Sequence, residues 1–381
     1  MSLVNEKSTA QTKRKPAKNW SVVAVIAILI ATLWPLNPIA RNGVTWLREG
    51  AGLKFENAGV VISSQPLRIL EAQADKGLSL ELFLQPAYKE LKCTILTFYV
   101  PFQRRQFLVR QHGESLIVTH DPAFEVDVTK TTTFELGHYF SPGKLVLLTI
   151  SSGANGTTVY SDGRIVGLFP NFKISRSELE GQIVLGTSAM NFAPWEGQLR
   201  GLAIYSKELG AEDALRHYKE WTAPSGTSDL DRALARYTFG QTSGREIENQ
   251  VAAGPKLEIQ ATFSVPHKDF LEPVAKEFRP DWKYAINMSI NIAGFVPLGL
   301  VICAYFSWTK ERWQAVLLTT VACGTLSLMI EILQYYIPRR GSGLTDVITN
   351  TLGAGLGAVL TQTDSVCHLL QETGLVRRIG E

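Results

Sequence analysis

The sequence predicts a mixed protein, in which four apolar helices of membrane-crossing character accompany one large all-β sandwich. Three observations lead there. Apolar runs near the ~20 residues needed to cross a bilayer core occur once close to the start and three times toward the end. Between residues 44 and 270 no run is long or apolar enough to cross, and short alternating segments rich in β-branched and aromatic residues take their place. Charged residues interrupt the last two apolar runs within EILQYYIPRRGSGLTDVITN, residues 331–350, and charge at membrane depth is costly enough to imply a purpose.

A chain of 381 residues with 45 % hydrophobic content has room for a few membrane helices and one sizeable soluble domain. The net charge of +3 carries no basic block interleaved with aromatics, so nucleic acid is not an expected partner. Cys303, Cys323 and Cys367 lie in or near the apolar segments. Cys93 is left alone in the soluble part, which excludes a disulfide framework there and suggests a buried thiol. No metal-ligand set and no cofactor motif stands out, and neither a metal nor a cofactor is expected.

Residues 1–19 are polar and carry Lys7, Lys13, Arg14, Lys15 and Lys18, which places them in the cytoplasm ahead of a first membrane helix over residues 20–40. A cleavable signal peptide is the rival reading of that run. PIA before Arg41 is a poor cleavage site, and Trp20 and Trp34 bracket the run as interface anchors do. The β domain, residues 44–270, includes LSLELFLQP, TILTFYVP, KLVLLTIS and GQIVLG. In TTVYSDGRIV, Asp162-Gly163 suits the positive φ of a tight hairpin turn, and Asp162 is read as turn chemistry rather than as a metal ligand. Residues 222–230 read as a surface loop, and residues 237–263 return to complete the sandwich. Trp282 and Tyr284 anchor the approach to the membrane.

Residues 283–362 hold the remaining helices, over 285–307, 313–337 and 344–362, and residues 363–381 form a second cytoplasmic tail. The positive-inside rule puts Lys310, Arg312, Arg377 and Arg378 in the cytoplasm, hence both termini inside and the β domain outside the cytoplasmic membrane. Arg339 and Arg340 fall on the outer side against that rule, as residues awaiting an anion would. Glu331 with Gln334, Asp346 with Asn350, and Asn287 with Asn291 each share one helical face at the same membrane depth. Pro297 kinks the second helix, and Gly353 and Gly357 have the spacing that lets helices pack closely.

Two resemblances accompany this reading. LSLELFLQP, TTVYSDGRIVG and PWEGQLRGLAIYSKELGAEDALRHYKEW resemble the laminin G-like, concanavalin A-like jelly roll. Members of that family bind glycans, proteins or calcium, and no acidic calcium loop is visible here. NIAGFVPLGL, MIEILQYYIPRRGSGLTDVITNTLGAGLGA and LWPLNP resemble the VanZ-like family, matching its pattern at Asn291, Phe295, Pro297, Gly299, Glu331, Gln334, Arg339 or Arg340, Asp346, Asn350 and Gly353. That family is named for low-level teicoplanin resistance, and the resemblance implies a cell-envelope protein with the jelly roll inserted after its first helix.

The expected site has Glu331 and Asp346 as acid/base candidates, with Asn291, Gln334, Arg339, Arg340 and Asn350 binding an anionic or polyprenyl-phosphate lipid and the jelly roll holding an envelope glycan. The competing expectation is a membrane-anchored, lectin-like adhesion or assembly protein without catalysis. In that case the polar residues only hold helices together.

Overall fold

The structure, a computed structural model, describes residues 19–34, 40–69, 77–100, 105–120, 133–223, 232–251, 254–278, 280 and 282–372. The basic residues of the N-terminal tail, Pro35, Pro38, Arg377 and Arg378 lie outside them, as does nearly all of the 222–230 loop. The chain divides into two compact units, a β unit over Ile39–Lys268 and a helical unit that joins Met1–Pro38 to Asp269–Glu381.

The β unit is an antiparallel sandwich of two main sheets. In the first, β5 (Leu78–Pro86) lies between β10 (Val146–Gly153) and β14 (Gly197–Tyr205). β11 (Gly156–Ser161) and β12 (Arg164–Phe169) extend it on one side. On the other, β14 pairs with β3 (Leu53–Phe55), itself next to β2 (Val44–Trp46), and with β15 (Ala233–Tyr237). The second sheet runs β16 (Glu246–Ile247), β17 (Leu257–Ile259), β4 (Val61–Ser63), β13 (Gln182–Leu185), β6 (Cys93–Val100), β7 (Arg105–His112), β8 (Ser115–His120) and β9 (Thr133–Leu136). The late strands β15 and β17 thus pair with β14 and β4, which come far earlier in the chain. β1 (Ala40–Arg41) pairs with β18 (Thr262–Phe263), bringing the two ends of the unit together.

Period-two alternation sends Leu80, Leu82 and Leu84 of β5 into the core between the sheets, where they share one cluster with Phe98, Phe107, Ile183 and Trp195. Trp195 is completely buried and its indole N–H donates to Gln111 Oε1 at 2.8 Å, so its polar atom is satisfied. The hairpin forms at Asp162-Gly163, with φ of 52° and 77°. The Asp162 carboxylate accepts the Leu147 amide at 2.9 Å, a turn-stabilising role. Cys93 is buried, and burial pushes its thiol up to about 12, which keeps it protonated and unreactive.

Alternation also predicts that Ser79, Glu81 and Phe83 face away from the core. They do, yet they are buried, because the outer face of the first sheet is covered by residues that flank and include α3 (Ala211–Thr222), the helix that follows the single turn α2 (Arg176–Leu179). Glu81 there accepts hydrogen bonds from Trp221 Nε1 at 2.9 Å and Tyr205 Oη at 3.3 Å, and lies 2.9 Å from His217 Nδ1.

In the helical unit, α1 (Asn19–Leu33) is shorter than the expected span over residues 20–40, and Ala40 belongs to a strand. Pro35 and Pro38 follow its end; neither has an N–H, and proline disfavours helical backbone in the residue before it. α5 (Trp282–Phe306) and α6 (Arg312–Tyr335), of 25 and 24 residues, are long and apolar enough to cross a bilayer. α7 (Leu344–Leu360) has 17 residues, about 25 Å at ~1.5 Å per residue. α1 and α7 are therefore short of the length expected of them. α8 (Asp364–Glu372) lies within the segment read from sequence as the second tail, residues 363–381.

α5 and α7 approach each other at backbone distance. A Cβ on Gly353 or Gly357 would fall closer than 3.0 Å to the carbonyl oxygen of Ile292 or Val296, and one on Gly299 equally close to that of Ala354. The surface of this unit reverses the usual pattern. Leu317, Val321, Met329, Leu352 and Leu356 are more than half exposed, whereas Thr319, Ser327, Glu331, Thr349 and Asn350 are buried.

Candidate functional site

The polar residues of the helical unit gather where the end of α6, the beginnings of α5 and α7, and the end of α1 meet. The beginning of α7 organises the arrangement. A helix leaves its first N–H groups without intrahelical acceptors, and here neighbouring segments supply them. Gly343 N–H donates to Glu331 Oε2 at 2.9 Å, Leu344 N–H to the Glu272 carbonyl at 3.0 Å and Thr345 N–H to Glu277 Oε2 at 2.9 Å. Two carboxylates at the positive end of a helix are electrostatically favourable. Gly343 is needed for this approach, since a Cβ there would overlap the Glu277 carboxylate. Glu277 ends a single helical turn, α4 (Val274–Glu277), that the sequence reading missed.

The end of α1 is held by the α6–α7 turn. Gln334 Nε2 donates to the Thr32 carbonyl at 2.9 Å, and the Arg340 guanidinium to the Trp34 carbonyl at 2.8 Å. Both acceptors belong to the carbonyls that a helix end leaves unmatched, and a cation there also complements the helix dipole. Arg339 is exposed on the same turn.

Farther along, Asn350 Nδ2 donates to Ser327 Oγ at 3.0 Å, linking α7 to α6. Its Oδ1 is buried with no hydrogen-bond partner among the described residues. Asn291 Nδ2 donates to Asp346 Oδ1 at 2.7 Å, linking α5 to α7.

Beside that last pair lies a pocket of about 410 Å³ lined by Glu272, Lys276, Glu277, Lys283, Tyr284, Asn287, Met288, Thr345 and Asp346. Its volume falls within the ~300–1,000 Å³ usual for small-molecule sites. Among the described residues, neither the Lys276 nor the Lys283 ammonium has a hydrogen-bonding or ion-pair partner, whereas Tyr284 Oη and Thr345 Oγ1 are 3.3 Å apart.

Of the site residues that the sequence singled out, Asp346 lines this pocket, while Asn291, Glu331, Gln334, Arg339, Arg340 and Asn350 are not among its lining residues. Two amines and a carboxylate that sequence reasoning passed over, Lys276, Lys283 and Glu277, line it. The signal was present in HKDFLEPVAKEFRPDWKY, residues 267–284, a run of mixed charge directly ahead of an apolar helix.

Residues 237–366 match the VanZ/LLP1 family model. The helical region beyond the sandwich is accordingly a VanZ region, and the match begins inside the sandwich at the last residue of β15. No curated protein matches the chain. Three solved structures are similar to part of it. A Bacteroides ovatus protein assigned to carbohydrate binding is 11 % identical with a TM-score of 0.39, over 56 % of this chain and 61 % of that one. The receptor-binding domain of botulinum neurotoxin type G is 15 % identical with a TM-score of 0.34, over 47 % and 45 %. A heptameric SAP-like pentraxin from Limulus polyphemus is 13 % identical with a TM-score of 0.33, over 59 % and 96 %. The chain thus spans less than two thirds of the first two. The sandwich itself rests on the strand pairing above.

Proposed function

We propose that the VanZ region is an integral membrane binding site for the phosphate-bearing headgroup of a lipid or lipid-linked glycan, with the β-sandwich as a glycan- or protein-binding module outside the cytoplasmic membrane. The observation that carries this reading is the pocket beside Asp346 and Asn291, where two ammonium groups lack any partner among the described residues. Phosphate is the common biological group that two such amines would hold, through charge-assisted hydrogen bonds.

The membrane placement rests on the reversed surface. Apolar side chains face outward along α5, α6 and α7 while hydroxyl, amide and carboxylate groups face inward, an arrangement that bilayer hydrocarbon favours and water opposes. Four helices, α1 and α5 to α7, then span or enter the bilayer, with α1 and α7 reaching across it by local thinning or flanking residues. Both termini are cytoplasmic by the positive-inside rule. Impermeant thiol labelling of Ser8→Cys in intact cells checks this, and strong labelling would reverse the topology.

Within this assignment Asp346 contacts the headgroup and Asn291 orients the Asp346 carboxylate. Glu331, Gln334, Arg340 and Asn350 position the helices around the headgroup. The test is the lipid that copurifies. Lys276→Glu combined with Lys283→Glu is expected to lower retained phospholipid or polyprenyl phosphate at least ~10-fold, the effect of losing charge-assisted contacts to one phosphate. A lipid profile identical to that of the wild type would exclude the headgroup site.

A further inference from the structure

The lining of the pocket contains more than a phosphate needs. Lys276 and Lys283 line it together with Glu272, Glu277 and Asp346. Glu277 Oε2 accepts the Thr345 amide and Asp346 Oδ1 accepts from Asn291, while the second oxygen of each has no hydrogen-bond partner among the described residues. Glu277 and Asp346 are close enough to interact electrostatically, and no basic side chain pairs with either among the described residues. A cation between them would relieve that repulsion and fill both open acceptor positions.

The described residues contain no cluster of three or more His, Cys, Asp or Glu able to hold a metal ion. An organic cation suits the dispersed acceptors better. A primary ammonium offers three N–H donors that can reach separate oxygens, whereas a trimethylammonium offers none. A purely anionic headgroup would bring its charge to a lining with three carboxylates and two amines. Binding it would leave Glu277 and Asp346 opposed to it.

Resting on the headgroup-binding reading above, we infer that the pocket selects a phosphoethanolamine group, with its phosphate on Lys276 and Lys283 and its primary ammonium between Glu277 and Asp346. Selection arises because only a ligand carrying both charges satisfies both halves of the lining. Phosphocholine lacks the donors and phosphoglycerol lacks the cation.

The test uses the full-length protein purified into nanodiscs made from an equimolar mixture of phosphatidylethanolamine, phosphatidylglycerol and phosphatidylcholine. Lipid released after delipidating washes is quantified by mass spectrometry. Wild type is expected to retain phosphatidylethanolamine about tenfold over each of the others, the discrimination one charge-assisted hydrogen-bonded group supplies. Asp346→Asn and Glu277→Gln preserve shape, and the acceptor oxygens toward Asn291 and Thr345, while removing the charge. Each is expected to bring the retained ratio to within about twofold of the mixture, with thermal unfolding verifying that each variant is folded.

No headgroup preference in wild type, or an undiminished preference in both folded variants, overturns the inference. If the paired lysine substitutions lower retention of every phospholipid while wild type shows no preference, the headgroup site stands and the phosphoethanolamine assignment falls. If the lysine substitutions change nothing, both fall. Soluble glycerophosphoethanolamine is added as a competitor in a second arm. Displacement by it, and not by soluble glycerophosphocholine, is expected; equal displacement by both overturns the phosphoethanolamine assignment.

Discussion

Glu81→Ala is expected to destabilise the sandwich by about 3–5 kcal/mol, the cost of removing one partner from a buried ionic network. Glu81 and His217 are completely buried and Arg236 is 3 % exposed. The carboxylate is the common acceptor for Trp221 Nε1, Tyr205 Oη and Thr149 Oγ1, and its Oε1 is 2.9 Å from His217 Nδ1. Arg236 donates to Tyr205 Oη at 3.3 Å and stacks over the Trp221 ring at 4.2 Å. Burial and the adjacent Glu81 carboxylate push the Tyr205 phenol well up, so it remains a neutral donor. Arg236 is linked to Glu81 through Tyr205 Oη, so without Glu81 the guanidinium keeps its charge and loses the carboxylate at the other end of that link. Thermal unfolding followed by tryptophan fluorescence measures the loss, and a melting temperature equal to that of the wild type would show that the network contributes nothing.

Gly353→Val or Gly357→Val is expected to disrupt the helical unit. Each new Cβ would overlap a backbone carbonyl of α5, and a backbone cannot swing aside as a side chain tip can. Overpacking costs ~1–3 kcal/mol even where side chains can adjust, and here the helices themselves must part. Gly294→Ala provides the contrast, because nothing lies within 4 Å of its would-be Cβ, and alanine favours helix over glycine by up to ~1 kcal/mol. Melting of the detergent-purified proteins distinguishes them: folded, stable Gly353→Val and Gly357→Val would contradict the backbone contact between α5 and α7.

The features legible in the sequence are those that local periodicity and turn chemistry determine. Alternation in LSLELFLQP placed Leu80, Leu82 and Leu84 on one side, and Asp162-Gly163 announced its hairpin. Polar residues set within otherwise apolar helices drew attention to Asp346, Asn291 and Asn350. What alternation could not show was that α3 and its flanks cover the other face of β5 and bury Glu81, because that depends on a segment more than a hundred residues away.

The pocket was missed for a related reason. Lys276 and Glu277 stand on a single helical turn, and isolated turns have too little periodicity to register. The same limit applies to Arg340. Its position against the charge rule was visible, but the carbonyl of Trp34 that it meets is 306 residues earlier in the chain. Proline-rich sequence after Trp34 made the early helix shorter than its apolar composition suggested.

The central claim is that a membrane lipid places its headgroup beside Asp346 and Asn291. Photocrosslinking with a phospholipid carrying a diazirine at the headgroup, followed by peptide mapping, tests it most directly. Adducts are expected on Tyr284, Met288 or the flanking residues of the pocket, and to fall at least ~10-fold when Lys276 and Lys283 are both changed to Glu. Adducts found only on the outward apolar faces of α6 and α7, at Leu317, Val321 or Leu352, and insensitive to those substitutions, would contradict it.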